Sequence, residues 1–227
     1  MKELKTNQKL LLVSAIITIT GIVLSGPVGI LIAQIRPQPE WREEITFVAN
    51  YHFVQNIPYM FGFILMLGFT LFISASFRLA STGLQKILRS AAIIFTSVYA
   101  AMVGLNYAFQ IALVPALIYK SPTFAALFTM ANPKSVGWIL EMFGYGFLGA
   151  ATILIAPVFR KGIRRKLIRY LLIANGVVSI LGAAATTLGT GWLMEWPGIT
   201  SVIIWNILIL VIMTLVIVDI YKTKLAE

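Results

Sequence analysis

Six long apolar stretches, separated by short runs of charged and turn-forming residues, set the pattern of the chain. They cover approximately residues 10–35, 45–77, 90–118, 135–159, 167–188 and 199–220. Each reaches the roughly 20 residues that a helix needs to cross a hydrocarbon core. The pattern predicts an all-α fold: a polytopic membrane helical bundle of about six transmembrane helices, a single domain over residues 1–227. Residues 1–9 followed by residues 10–24 have the outline of a signal peptide, but Ser25-Gly26-Pro27 is a poor cleavage site and the apolar run goes on to Ile35. The segment therefore reads as the first span.

The second stretch is too long for a straight crossing, so residues 45–55 are expected to form an interfacial extension bent into the membrane at Pro58. Pro27, Pro58 and Pro115 are each expected to remove an internal hydrogen bond and free a carbonyl one turn earlier, which a neighbouring helix or a hydrated cavity must satisfy. Small residues mark close helix approaches: Gly21, Ser25 and Gly29 on the first span, Gly146, Gly149 and Ala150 on the fourth, and Gly182 to Ala185 on the fifth. Such faces would also suit a homo-oligomer or a partner subunit.

Composition agrees with a lipid environment, at 59% hydrophobic and 11% charged residues against about 25% charged in soluble domains. Basic residues set an expected orientation, because cytoplasmic loops retain Lys and Arg. Fourteen of the 18 fall on one side, among them Lys2, Lys5, Lys9, Arg78, Lys86, Arg89, Lys222, Lys224 and the cluster from Arg160 to Arg169. Arg36, Arg42, Lys120 and Lys134 fall on the other, together with Glu40, Glu43, Glu44 and Glu195. Both termini are thus expected to be cytoplasmic. Trp41, Trp138, Trp192 and Trp196 then mark the outer ends of spans, where indoles favour the headgroup level. The net charge of +10 reads as topology and as attraction to membrane lipids, including anionic inner-leaflet lipids near residues 160–169, and not as a nucleic-acid surface.

Polar residues inside the spans concentrate at one depth. The fourth span carries Glu141 about two turns from its outer end, with Trp138 and Tyr145 on the same face. The third places Asn106, Tyr107 and Gln110 within one arc, and the sixth adds Trp205 and Asn206. On the second, His52, Gln55, Asn56 and Tyr59 follow helical spacing and so share a face, unless a kink at Pro58 turns Tyr59 away. Asp219, the other acidic residue within a span, lies one turn from the cytoplasmic end beside Lys222 and receives no role.

Polar groups at one depth on four helices are best satisfied by facing one another. They predict an outward-facing polar pocket for a small amphiphilic or cationic molecule, with Glu141 as the anchoring charge. An internal hydrogen-bond network that fixes helix register is the alternative, as is acid–base catalysis on a lipid by Glu141. The chain has no cysteine, a single histidine, and neither a phosphate-binding loop nor a G-x-S-x-G elbow, so no metal site or cofactor is expected.

The stretch Asn132-Pro133-Lys-Ser135-Val-Gly-Trp138-Ile-Leu-Glu141-Met-Phe-Gly144-Tyr145-Gly146-Phe-Leu-Gly149, preceded by Asn106-Tyr107-x-x-Gln110, resembles a family of uncharacterised prokaryotic multi-spanning membrane proteins. The resemblance covers about the second to fifth spans. It implies a prokaryotic plasma (inner) membrane location, and no mechanism.

Overall fold

The computed structural model describes residues 6–37, 44–76, 82–160 and 162–226, which form helices and connecting turns. Lys2, Lys5, Glu40, Trp41, Arg42, Glu43, Phe77, Arg78 and Lys161, invoked above for span ends, orientation and the aromatic belt, lie outside the described residues. Ten α-helices are present among the described residues: α1 (Thr6–Ser25), α2 (Pro27–Ile35), α3 (Glu44–Asn50), α4 (Ile57–Ala75), α5 (Gly83–Ala108), α6 (Val114–Leu117), α7 (Pro122–Ala126), α8 (Val136–Ile155), α9 (Ile163–Thr186) and α10 (Trp196–Ala226). All but α3 and α7 belong to six apolar segments long enough to cross a membrane: Gln8–Ile35, Phe53–Ala75, Gly83–Leu117, Val136–Val158, Ile163–Thr186 and Trp196–Thr223.

The six pack as a closed circuit in chain order, α1 on α4, α4 on α5, α5 on α8, α8 on α9, α9 on α10, and α10 back on α1. Glycine permits the closest of these approaches. A Cβ at Gly21 would stand 2.5 Å from Leu65 Cα, one at Gly68 would stand 2.6 Å from the Thr18 nitrogen, and one at Gly149 would stand 2.7 Å from the Gly176 carbonyl oxygen. The core lies towards the end of the bundle that holds the described termini, where Phe69, Phe72, Leu148, Ile155, Leu172, Ile209 and Met213 are fully buried. There Asp219, one turn before Lys222 on α10, accepts from Arg165 Nε at 2.7 Å and faces Arg164 Nε at 3.5 Å, joining α10 to α9.

The three prolines are accommodated in different ways. No kink occurs at Pro58. The chain leaves α3 at Asn50, turns at Tyr51 and His52, and restarts as a short 3-10 turn, Phe53–Asn56, that runs into α4. His52 Nδ1 accepts from Val54 N–H and Gln55 Oε1 accepts from His52 N–H, so these side chains cap the restart. Pro58 sits in the first turn of α4, where no N–H is required of it, and the Val54 carbonyl one turn earlier is taken by Ile57 N–H. Pro27 likewise opens α2 after a break at Gly26. Pro115 follows a π turn, Phe109–Leu113, in which Val114 N–H reaches back five residues to the Phe109 carbonyl and widens the helix ahead of the ring.

Candidate functional site

Two side chains near the end of α5, Asn106 and Tyr107, meet the first half of α8, and Gln110 of the π extension stands behind them. Gly137 and Gly144 on α8 leave the room, since a Cβ at Gly137 would stand 2.8 Å from Asn106 Oδ1 and one at Gly144 would stand 2.6 Å from Val103 Cγ2. With the helices this close, Asn106 Nδ2 donates to Glu141 Oε2 at 2.9 Å and Tyr107 OH donates to Glu141 Oε1 at 3.0 Å. Tyr107 OH also lies 3.4 Å from Tyr145 OH. Asn106 is held in turn by Gln110 Nε2, which donates to its Oδ1 at 3.1 Å. The carboxylate of Glu141 is therefore oriented by a chain of neutral donors, with no cation beside it among the described residues.

The third element of the site is one that helix periodicity does not reveal. Between α6 and α8 the chain does not stay outside as a loop but folds back over the end of the bundle through α7, burying Ala125, Ala126, Thr129, Met130 and Ala131. Gln110 pins this return: its Nε2 donates to the Phe128 carbonyl at 2.9 Å and its Oε1 accepts from Met130 N–H at 3.1 Å. Trp138 Nε1 donates to the Met130 carbonyl at 2.8 Å. The signal was the run Phe124-Ala-Ala-Leu-Phe-Thr-Met-Ala131, more apolar than an exposed connection has reason to be.

Glu141 opens on a cavity of about 400 Å³ at the end of the bundle away from the described termini, lined by residues of all six spanning segments. Its walls are mostly aromatic. Tyr145 and Trp205 meet edge to face with centroids 4.8 Å apart, Tyr59 lies 6.0 Å from Tyr107, and Trp138 and Trp192 complete the enclosure. Trp205 Nε1 donates to Ser179 Oγ at 3.1 Å, which fixes its ring against the cavity. Trp138 and Trp192 thus face inwards, whereas Trp196 is 80% exposed, as an interfacial indole would be.

Of the residues singled out by the sequence, Glu141, Tyr145, Trp138, Tyr107, Tyr59 and Trp205 share this cavity, and Asn106 and Gln110 support it from behind. Asn206 stands on the cavity wall, with its amide nitrogen donating to the Val202 carbonyl of its own helix. His52, Gln55 and Asn56 do not line the cavity. The break before α4 removes the shared helical face: Gln55 Nε2 donates to the Pro37 carbonyl at 2.9 Å, Asn56 Nδ2 donates to Tyr51 OH, and His52 caps its own turn. Tyr59 faces the cavity because it belongs to the straight α4 rather than to a kinked helix. Met130 and Ser179 were missed, the first because it sits in a connection and the second because a serine on an apolar helix carries no signal of its own, and Trp192 was read only as an interfacial indole.

No family model, no curated protein and no solved structure matches the chain.

Proposed function

We propose that this chain is a plasma-membrane protein, with both termini cytoplasmic, that binds or transports a small amphiphilic cation in the cavity at the outer end of its bundle. One observation carries the reading: a single carboxylate opens into a cavity walled by Tyr59, Tyr107, Tyr145, Trp138, Trp192 and Trp205. Aromatic faces attract an organic ammonium through their quadrupoles, and a carboxylate supplies the matching charge where water is scarce. Each carboxylate oxygen has about two acceptor sites, so one donor on each leaves room for a ligand. Asn106 and Tyr107 then hold the anion in place without neutralising it.

Binding of tetramethylammonium and hexyltrimethylammonium to the purified protein in lipid nanodiscs tests this. Replacing Glu141 with Gln keeps the shape and the capacity to hydrogen bond while removing the charge, so affinity should fall at least about tenfold. Acidification acts with the same sign. Binding is present while Glu141 is ionised and is lost as the pH falls through its titration, and Glu141→Gln should flatten that dependence.

A second reading has its own support in the pair of donors on the carboxylate: Glu141 as a post that fixes α5 against α8. That reading expects wild-type ammonium binding, or none in either protein, together with an unchanged or raised melting temperature in Glu141→Gln, because a charge is spared from burial while shape and hydrogen bonding are kept. Equal affinity and equal pH profile in the two proteins would remove Glu141 from any ligand site.

A further inference from the structure

A second cavity, of about 520 Å³, lies between α2 and α10 on the flank of the bundle. It adjoins the first: Ser25, Gly26, Pro58, Tyr59, Val202 and Asn206 form walls of both. Its own surface is mostly apolar, supplied by Ile30 and Ala33 from one side and Ile203 and Ile207 from the other, with Gln55 and, at its rim, Arg36 as the polar members. The break at Gly26 creates it. Up to Ser25 the first segment packs on α4 and α10, but α2 beyond the break has no buried residue, and Ile30, Leu31 and Ile35 are 61%, 57% and 77% exposed. In a bilayer these surfaces face hydrocarbon, so the flank cavity opens on the lipid directly beside the aromatic cavity.

We infer that the molecule held at Glu141 carries an alkyl chain, and that this chain lies in the α2–α10 groove while the ammonium head occupies the aromatic cavity. The inference rests on the reading of Glu141 as a cation anchor and adds the substrate class, a single-chain cationic amphiphile taken from the membrane. Adjacency argues for it. A head at Glu141 and a tail in the groove are separated only by the wall that Tyr59 and Asn206 share, and beyond Ser25 and Asn206 the groove's polar groups are Arg36 at its rim and Gln55, whose amide is already engaged with His52 N–H and the Pro37 carbonyl. Hydrocarbon is no better off against isoleucine than against lipid, so the tail contributes placement and route rather than affinity.

The test therefore reads position. A dodecyltrimethylammonium bearing a photoreactive diazirine at the chain end is irradiated with the protein in phosphatidylcholine nanodiscs, and adducts are mapped by mass spectrometry. Adducts are expected within residues 22–36 and 202–210, competed by excess tetramethylammonium and lost in Glu141→Gln. Ala33→Trp and Ile207→Trp, at exposed positions of the groove where folding tolerates a larger side chain, should each abolish the groove adducts while tetramethylammonium still binds. Competed, Glu141-dependent adducts on α5 or α8 would overturn the tail's location and leave the cation anchor standing. Diffuse labelling of every lipid-facing helix, unaffected by competitor or by Glu141→Gln, would overturn both.

Discussion

Gln110 uses both ends of its amide to hold the connection before α8 on the bundle, and it is 1% exposed while doing so. Replacing it with leucine would fill the space but leave the Phe128 carbonyl and the Met130 N–H without their partner. An orphaned buried group costs about 1–3 kcal/mol. Gln110→Leu should therefore lower the melting temperature and speed hydrogen exchange at the Met130 amide, with exchange in α9 little changed; unchanged exchange at Met130 would refute the pinning role. That Gln110 belonged with Asn106 and Glu141 was legible in the sequence, because all three are polar groups at one depth in apolar helices. Its partners in the return segment were not, since a backbone carbonyl or N–H carries no sequence identity.

At the scale of the element, glycine decides how near the helices come. Gly68 of α4 faces the backbone of α1 at Thr18, whereas Gly104 of α5 faces the flexible end of Met66, with Sδ 3.3 Å from where a Cβ would stand, and the edge of Phe63 at an ordinary contact distance of 3.9 Å. A methyl group at Gly68 has to push α1 away, because backbone cannot retreat by changing rotamer. Gly68→Ala should destabilise by about 1–3 kcal/mol, as overpacking does. Gly104→Ala should be close to neutral. Thermal unfolding of the two variants in the same detergent checks the contrast, and equal effects would count against backbone contact as its cause. Small residues on the first, fourth and fifth spans were legible as contact points. The fate of the prolines was not: whether a proline kinks a helix, opens one or follows a π turn depends on where the preceding turn finds its hydrogen bonds. At Pro58 the caps from His52 and Gln55 decided that, so the same two residues that the sequence offered as site residues serve the helix start.

For the molecule as a whole, the distribution of Lys and Arg expects the end holding Lys86 to be cytoplasmic and the end holding Lys134 and Glu195 to be external. The chain has no native cysteine. Single cysteines at these three exposed positions should react with an impermeant maleimide from outside intact cells at 134 and 195, and at 86 only after permeabilisation. The reverse pattern would invert the bundle and place the Glu141 cavity at the cytoplasmic end, which would also reverse the side from which a ligand reaches it.

The helical class and the six apolar segments follow from the sequence alone, because a backbone in hydrocarbon must satisfy its hydrogen bonds internally and runs of this length leave the helix as the solution. The depth of Glu141 and its company of Asn106, Tyr107, Gln110 and Tyr145 follow from helical periodicity in the same way. Tertiary structure decided the rest: that α5 and α8 stand close enough for Asn106 and Tyr107 to reach the carboxylate, that the segment around Met130 folds back onto them, and that the break at Gly26 opens the flank between α2 and α10. Those outcomes depend on which helix neighbours which and on where a connection finds partners for its backbone. Both are properties of contacts between segments distant in the chain, on which a pattern read within one segment has no hold.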